Sequence, residues 1–404
     1  MRAARIALAL SLLALGLRVA AFLLLDRVHH PDLWESEEIA TNLLAGRGFV
    51  FEFLGTSYRS YMEPLYPGLC AAVYALTGHS YLALGLVQAV LGTALVGLVF
   101  LCGRRMGDDR AALIATALAA VHPGLIAYTT KFHPFVLDSL LVLAVLAACL
   151  FFAKERPWRS AVVLGAVIGL CALTRATILV CLPVIAWWVW RALPQRRPAA
   201  LAVTLVAAAL VVAPWVARNW AVHHRLVFTR SGTALVFWLG NNPHAFSGSA
   251  ADLAGRPLHA LLPEEQRQRL FTLDELGQQD HFRQEALAYV RARPLAFLQR
   301  WAVKLGYFWW QSPQAGQRYP AGWFRLYQAF YLATMALVIA AVILGRRPEI
   351  WLVLGFCLAI ALVQSAYYVE GRHRLTIEPL LLLLAGQGLA RLLQLLPWGK
   401  KVSS

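Results

Sequence analysis

The chain has 404 residues, of which 59% are hydrophobic and 14% charged, and a formal net charge of +16. A soluble domain is about 45–50% apolar, so this composition excludes an ordinary soluble globular protein. The arginines punctuate apolar segments instead of building one basic face, which excludes a nucleic-acid binder.

Taken in order, Arg2 and Arg5 precede an apolar run over 6–25. Its length marks a retained span and not the shorter core of a signal peptide. The polar stretch 26–79 follows, and six carboxylates crowd residues 31–67: Asp32, Glu35, Glu37, Glu38, Glu52 and Glu63. Asp32 to Glu35 opens a helical stretch ending at Gly46. Read locally it is a capping box, with Asp32 as N-cap and Glu35 reaching back. Glu37 and Glu52 are then expected in solvent. Trp34, Ile39, Leu43 and Leu44 place this helix on the membrane surface, where a carboxylate in a dry setting serves as a general base. Glu35 is the candidate. The apolar piece 64–77, which follows Glu63, is too short to cross and reads as an interfacial helix. Further spans are expected at 80–102, 110–128, 133–153, 159–174, 176–191, 199–217, 322–344, 349–367 and 375–397, giving about ten in all. The six cysteines all lie in apolar stretches without CxxC spacing, so no zinc site or disulfide framework is expected.

With ten crossings the short basic joins fall on one side with Arg2 and Arg5. These joins are Arg104/Arg105/Arg110, Lys154/Arg156/Arg159, Arg191/Arg196/Arg197, Arg346/Arg347 and Lys400/Lys401. By the positive-inside bias that side, with both termini, is cytoplasmic. Residues 26–79 and 218–321 then face outward. On that face Asp138 lies just inside an apolar segment, where an unpaired charge is costly. It is either tied to Lys131 or a nearby arginine, or it is a second active-site carboxylate. Arg175 joins two apolar runs and either snorkels or serves the site; Arg18, inside the first span, reads as snorkelling. Arg218 follows the interfacial Pro214-Trp215 and is suited to a lipid phosphate. The turn 240–243, Gly-Asn-Asn-Pro, reads as structural. Arg372, His373 and Arg374 cluster where the last span begins and can join its free N–H groups in holding an anion. The alternative is pairing of these basic groups with Glu370 and Glu378.

The segments WESEEIATNLLAGRGF, EPLYP, LTRA, PWVARNW, LGNNP and RHRLTIEPLLLLLA stand in an order that resembles the GT-C superfamily of membrane glycosyltransferases. The likeness is to the family 39 group, of the protein-mannosyltransferase and aminoarabinose-transferase type. The resemblance implies an all-α polytopic bundle with outer-face juxtamembrane helices, forming one domain over 1–404. It also implies a polyprenyl-phosphate-linked sugar as donor and a lipid, glycan or protein acceptor. A first-loop carboxylate is the implied base, and basic residues hold the phosphate. Glu35 matches the acidic position, with Asp32 the runner-up; Asp138 falls where a further acid is expected; Arg372 and Arg374 match the basic positions, with His373 between them. Lys131, Arg175, Arg218 and Glu63 complete the expected substrate side. Many relatives carry two adjacent acids in the first loop, whereas here the acids are spaced. The resemblance carries the expectation of a protein without the large C-terminal soluble domain of some relatives, with the outer loops recognising the acceptor. No particular cofactor is implied; a divalent metal between the carboxylates and the phosphate is compatible with the acids without being indicated, and the acids can equally work without one. A transporter or flippase remains the alternative, and would place ionisable groups near the bilayer midplane; a non-catalytic assembly partner is a further one. The composition fits a bacterial inner membrane with the site on its periplasmic face.

Overall fold

The computed structural model describes residues 1–193, 195–243, 245, 262–312 and 320–396. In a bilayer each backbone N–H and C=O must be paired inside its own segment, so apolar runs fold as helices. The first run forms α1 (Arg2–Leu24). The first loop holds α2 (Glu35–Leu44), a hairpin of β1 (Phe51–Phe53) and β2 (Thr56–Tyr58), and α3 (Leu65–Thr77). Next come α4 (Tyr81–Met106), α5 (Asp109–Val121), α6 (Pro123–Thr129), α7 (Phe135–Leu150) and α8 (Pro157–Ala172). A 3-10 turn over Ala176–Cys181 leads into α9 (Leu182–Ala192), and α10 (Arg197–His223) follows. The long polar segment contains α11 (Thr233–Gly240), α12 (Glu264–Phe271), α13 (Glu275–Ala292) and α14 (Pro294–Trp309). The chain continues through α15 (Ala321–Leu344), α16 (Pro348–Gln364), a 3-10 turn over Gly371–Thr376 and α17 (Glu378–Leu395).

Every one of the ten expected spans is helical. Among the described residues α1, α4, α10 and α15 are each long and apolar enough to cross a membrane, and α5 with α6 adds a fifth, bent by 48°. Shorter apolar helices occupy the remaining expected spans, apart from the last, which holds α17. The chain is a multi-pass membrane protein. The Lys400/Lys401 join lies outside the described residues.

The bundle is packed around α17, which is buried continuously from Glu378 to Gly388. Two glycines set how close its neighbours come. A Cβ on Gly386 would stand 2.5 Å from the Ala111 carbonyl oxygen, and one on Gly388 2.0 Å from that of Leu337. Small residues thus let α5 and α15 seat directly on the α17 backbone, as membrane helices commonly do. The hairpin pairs Phe51 with Tyr58 and Phe53 with Thr56. Its turn puts Leu54 and Gly55 both at positive φ, the geometry that matches strand twist.

The bend between α5 and α6 has a covalent cause. Pro123 has no N–H, so the Ala119 carbonyl loses its helical donor. Arg18 supplies donors instead, and it does not snorkel. The side chain is fully buried. Its Nη1 donates to Ala14 and Ala120 carbonyls at 3.1 and 3.4 Å, and its Nη2 to Ala119 at 3.5 Å. The guanidinium sits at the negative end of the α5 dipole, which compensates a charge that would otherwise be costly there.

Replacing Arg18 with Met removes the side-chain donor from the Ala119 and Ala120 carbonyls at the α5 end. The thermal unfolding midpoint in detergent is expected to fall by several degrees, corresponding to about 2–3 kcal/mol. An unchanged midpoint would contradict this role.

Candidate functional site

The basic joins gather at one end of the bundle. Arg2 and Arg110 line a cleft with Leu393, and Arg105, Lys154 and Arg191 line a second. The other end collects the first loop, the α6–α7 join, the α8–α9 join and the segment before α17.

Asp32 connects the first two of these. Its carboxylate forms an ion pair with Lys131 and lies 3.9 Å from Arg27. Its backbone carbonyl accepts from the Phe132 N–H at 3.0 Å. Asp32 therefore does not cap α2. The N-cap is Trp34, without a side-chain cap, because the Lys131 ammonium holds the carboxylate elsewhere. The Trp34 indole N–H also donates to Asp32, at 3.0 Å.

Glu37 departs from expectation too. It is buried, not solvated. It accepts from the Tyr74 hydroxyl at 2.5 Å and the Tyr81 hydroxyl at 3.4 Å, and meets His79 Nε2 at 2.9 Å. The helical pitch turns Glu37 away from Glu35 and toward α3 and α4. Glu38 accepts from the Glu52 N–H at 2.7 Å, and Glu52 stays exposed as expected.

That leaves Glu35. Among the described residues its carboxylate has no hydrogen-bond or ion-pair partner. It starts α2, where the helix dipole favours a negative charge. Its charge is felt by Tyr61 and Arg230. Burial, aided by Glu35, drives the Tyr61 phenol well above its ordinary range, so that hydroxyl keeps its proton. The Arg230 guanidinium lies 3.7 Å from Glu63 and over the Tyr61 ring at 5.7 Å. Burial opposes its charge, but Glu63, Tyr61, Tyr368 and Glu35 together hold it above its ordinary range. Glu63 also accepts from the Ala176 N–H at 3.2 Å, tying the first loop to the turn before α9.

The buried Asp138 carboxylate pairs with the half-buried Arg175 at 3.2 Å. Asp138 also accepts from the Thr376 hydroxyl at 2.7 Å. Arg175 further donates to Gln364 at 3.0 Å and lies over the Phe135 ring at 5.0 Å. Arg175 thus turns inward instead of snorkelling, and it is Arg175, not Lys131, that meets Asp138.

The segment before α17 divides its basic residues. Arg372 pairs with Glu370 and stacks over Trp34 at 5.0 Å, beside Glu35. Arg374 points into the bundle and is fully buried. All its nitrogens are engaged: Nε donates to Glu378 at 3.1 Å, Nη1 to the Phe308 and Trp310 carbonyls at 3.0 and 2.6 Å, and Nη2 to the Tyr327 hydroxyl at 2.8 Å. A 3-10 turn has three residues per turn, so side chains two apart leave it about 120° apart, in line with the separate settings of Arg372 and Arg374. His373 Nδ1 accepts from the Glu370 N–H at 3.0 Å, which leaves the ring proton on Nε2. Burial, with Arg372 and Arg175 nearby, pushes this imidazole well below its usual range, so it stays neutral. His133 stacks on Phe135 at 4.4 Å and meets Trp34 edge-on at 4.8 Å.

Arg218 is committed to the first loop. It donates to the Arg59 carbonyl at 2.5 Å and the Ser60 hydroxyl at 3.0 Å, and lies over Trp215 at 4.8 Å. Asn241 and Asn242 are structural, as expected: both are buried and donate to helix-end carbonyls. Among the described residues no group of three His, Cys, Asp or Glu side chains converges as a metal site. The structure thus gathers Glu35, Asp32, Lys131, Glu63, Asp138, Arg175, Arg372 and His373, and sets Arg374 and Arg218 in the supporting frame. Arg230, Tyr61 and Tyr368 escaped the sequence reading. Arg230 sits in a polar turn after α10, and its partner Glu63 is far away in the chain.

Residues 63–217 match the family described as dolichyl-phosphate-mannose-protein mannosyltransferase. No curated protein sequence matches the chain. Several solved structures share the fold. ArnT from Cupriavidus metallidurans bound to undecaprenyl phosphate aligns at 17% identity and TM-score 0.57, over 99% of this chain and 61% of that one. The oligosaccharyltransferase AglB from Archaeoglobus fulgidus, with an inhibitory peptide and a dolichol-phosphate, aligns at 14% identity and TM-score 0.58, over 98% and 50%. The apo form of the Archaeoglobus fulgidus oligosaccharyltransferase aligns at 16% and 0.60, over 98% and 51%. The chain therefore spans between half and two thirds of the length of these structures.

Behind Tyr367 and Tyr368, Lys304 of α14 donates to the Gly240 carbonyl and Asn241 Oδ1, each at 3.1 Å, and to the Ala366 carbonyl at 3.4 Å. Burial, with Arg300 nearby, lowers its amine from 10.5 to about 7. Between those values the unfolded chain holds a proton that the folded chain does not, so stability rises with pH across that window. The unfolding midpoint of the wild type is expected to rise from pH 7 to 9 relative to that of Lys304→Met. Parallel pH profiles would contradict this.

Proposed function

We propose that the chain is a GT-C-type membrane glycosyltransferase, which transfers a sugar from a polyprenyl-phosphate-linked donor to a hydroxyl acceptor at the outer membrane face, with inversion at the anomeric carbon; the family match over residues 63–217 and the shared fold support this reading. The acceptor belongs to a lipid, a glycan or a protein. The observation that carries this reading is the Glu35 carboxylate, without a partner among the described residues, next in sequence to Trp34, over whose ring Arg372 lies at 5.0 Å. The lipid phosphates bound by ArnT and AglB support the donor class.

In this mechanism the acceptor oxygen attacks the anomeric carbon as its proton passes to Glu35. The bond from that carbon to the phosphate oxygen breaks in the same displacement. The polyprenyl phosphate leaves with its charge held by Arg372 and the Nε2–H of His373. Protonated Glu35 then returns its proton to solvent. Phosphate is a good leaving group, so no general acid is needed. Arg372 must exchange Glu370 for the phosphate, a swap of one anion for another at a fixed guanidinium. Asp138 and Arg175 sit behind this surface, with Glu63 and Arg230 beside Glu35. The distribution of charge supports an active site on the periplasmic face of a bacterial inner membrane, with both termini cytoplasmic: basic joins gather at one end and the site at the other.

A transporter or flippase reading draws on one feature, the buried Arg18 beside the broken α5–α6 pair, since such proteins use interrupted helices and buried charges. Here that guanidinium is bound to the Ala14 carbonyl and to the Ala119 and Ala120 carbonyls at the end of α5.

Purified protein given radiolabelled polyprenyl-phosphate sugars should release labelled acceptor product. Glu35→Gln is expected to lower turnover by about 10²–10⁴ while donor affinity holds within about twofold. Full activity in that variant would end the base assignment. Arg372→Ala is expected to weaken donor binding by about tenfold or more; unchanged donor affinity would remove Arg372 from the phosphate site.

A further inference from the structure

The end of the bundle remote from Glu35 carries a second site. Helix α4 runs from Tyr81, which contacts Glu37, to Arg105, a rise of about 36 Å. There Arg105 meets Lys154 from the α7–α8 join and Arg191 from the end of α9, and the three line one cleft of about 180 Å³. Each cation comes from a different part of the chain. None makes a hydrogen bond or ion pair among the described residues, and no carboxylate lines the cleft. Glu155 adjoins Lys154 in sequence but pairs with none of them. The neighbouring basic joins are different: Arg104 is paired with Asp109 at 2.7 Å, and Arg347 donates to the Met106 carbonyl at 2.8 Å.

The remaining wall is apolar. Phe152 is buried, and the Trp188 indole is fixed by donating to the Cys149 carbonyl at 2.7 Å. Phe151, Trp187 and Trp190, adjacent in sequence to residues of that wall, are exposed. On a membrane helix bundle such aromatic residues mark the interfacial belt. Three unpaired cations at the end of an apolar, lipid-facing wall match one chemistry: a phosphodiester whose acyl chains run along the helices.

We propose that this cleft binds the headgroup of an anionic phospholipid. The phosphate meets Arg105, Lys154 and Arg191, and the acyl chains lie against the aromatic wall. The site is separate from sugar transfer, and its test needs no turnover.

Native mass spectrometry and thermal unfolding in mild detergent would read the site, using phosphatidylglycerol, phosphatidylcholine and inorganic phosphate as probes. The wild type should retain phosphatidylglycerol over phosphatidylcholine by about tenfold or more, and the triple variant Arg105→Gln, Lys154→Gln, Arg191→Gln should lose that preference. The charge-retaining set Arg105→Lys, Lys154→Arg, Arg191→Lys should keep most of it, which separates charge from folding. If the triple variant does not fold, Arg191→Gln alone should cut the preference by about fivefold. A folded Gln variant with wild-type preference would overturn the proposal. Inorganic phosphate stabilising the wild type as well as phosphatidylglycerol, and displacing it, would show a soluble-anion site and overturn the lipid assignment.

Discussion

The ion pair between Asp32 and Lys131 is the contact on which the site depends. It joins the first loop to the α6–α7 join, and the parallel bridge beneath it fixes the register of the two segments. With Asp32 held there and Glu37 held by Tyr74 and His79, α2 is pinned from both sides. The carboxylate left over is Glu35. The base proposed for this site needs a lone pair that no other group already occupies, and engagement of the neighbouring acids leaves Glu35 in that condition among the described residues.

The same logic runs through the bundle. Proline at 123 breaks a helix, and Arg18 from α1 meets the carbonyls the break exposes. On the other side of the break His122 Nδ1 accepts from the Leu125 N–H at 3.1 Å, while its Nε2 lies 3.1 Å from Glu378 of α17. Helix α6 then delivers Lys131 to Asp32. The Gln88 amide supports this hand-over by donating to the Lys131 carbonyl at 2.8 Å. Packing around the central helix and the geometry of the first loop are thus linked through a run of contacts between buried polar groups, which a low-dielectric interior strengthens.

Much of this was legible in the sequence. Apolar length fixed the helices, and charge placement separated the two ends, because both are local properties. The acid-rich loop and the Arg372–His373 segment were visible as candidates for the same reason. Partnership was not legible. Asp32 looked like a cap because its neighbours in sequence suit one, yet Lys131, 99 residues on, holds it. Glu37 looked solvated because nothing nearby in sequence would bury it. Arg372 and Arg374 looked equivalent, but the tight turn that carries them sends one to Trp34 and the other into the core. Arg230 gave no signal, since its meaning lies in Glu63, Tyr61 and Glu35, all far along the chain.

The central claim is that the Glu35–Arg372 surface receives the lipid phosphate. A cryo-electron microscopy map of the protein in nanodiscs with undecaprenyl phosphate tests it most directly. The account predicts phosphate density within hydrogen-bonding distance of the Arg372 guanidinium, on the Trp34 side, with Glu370 displaced and Glu35 left open to the adjoining space. Phosphate density elsewhere, with the Arg372–Glu370 pair intact, would contradict it.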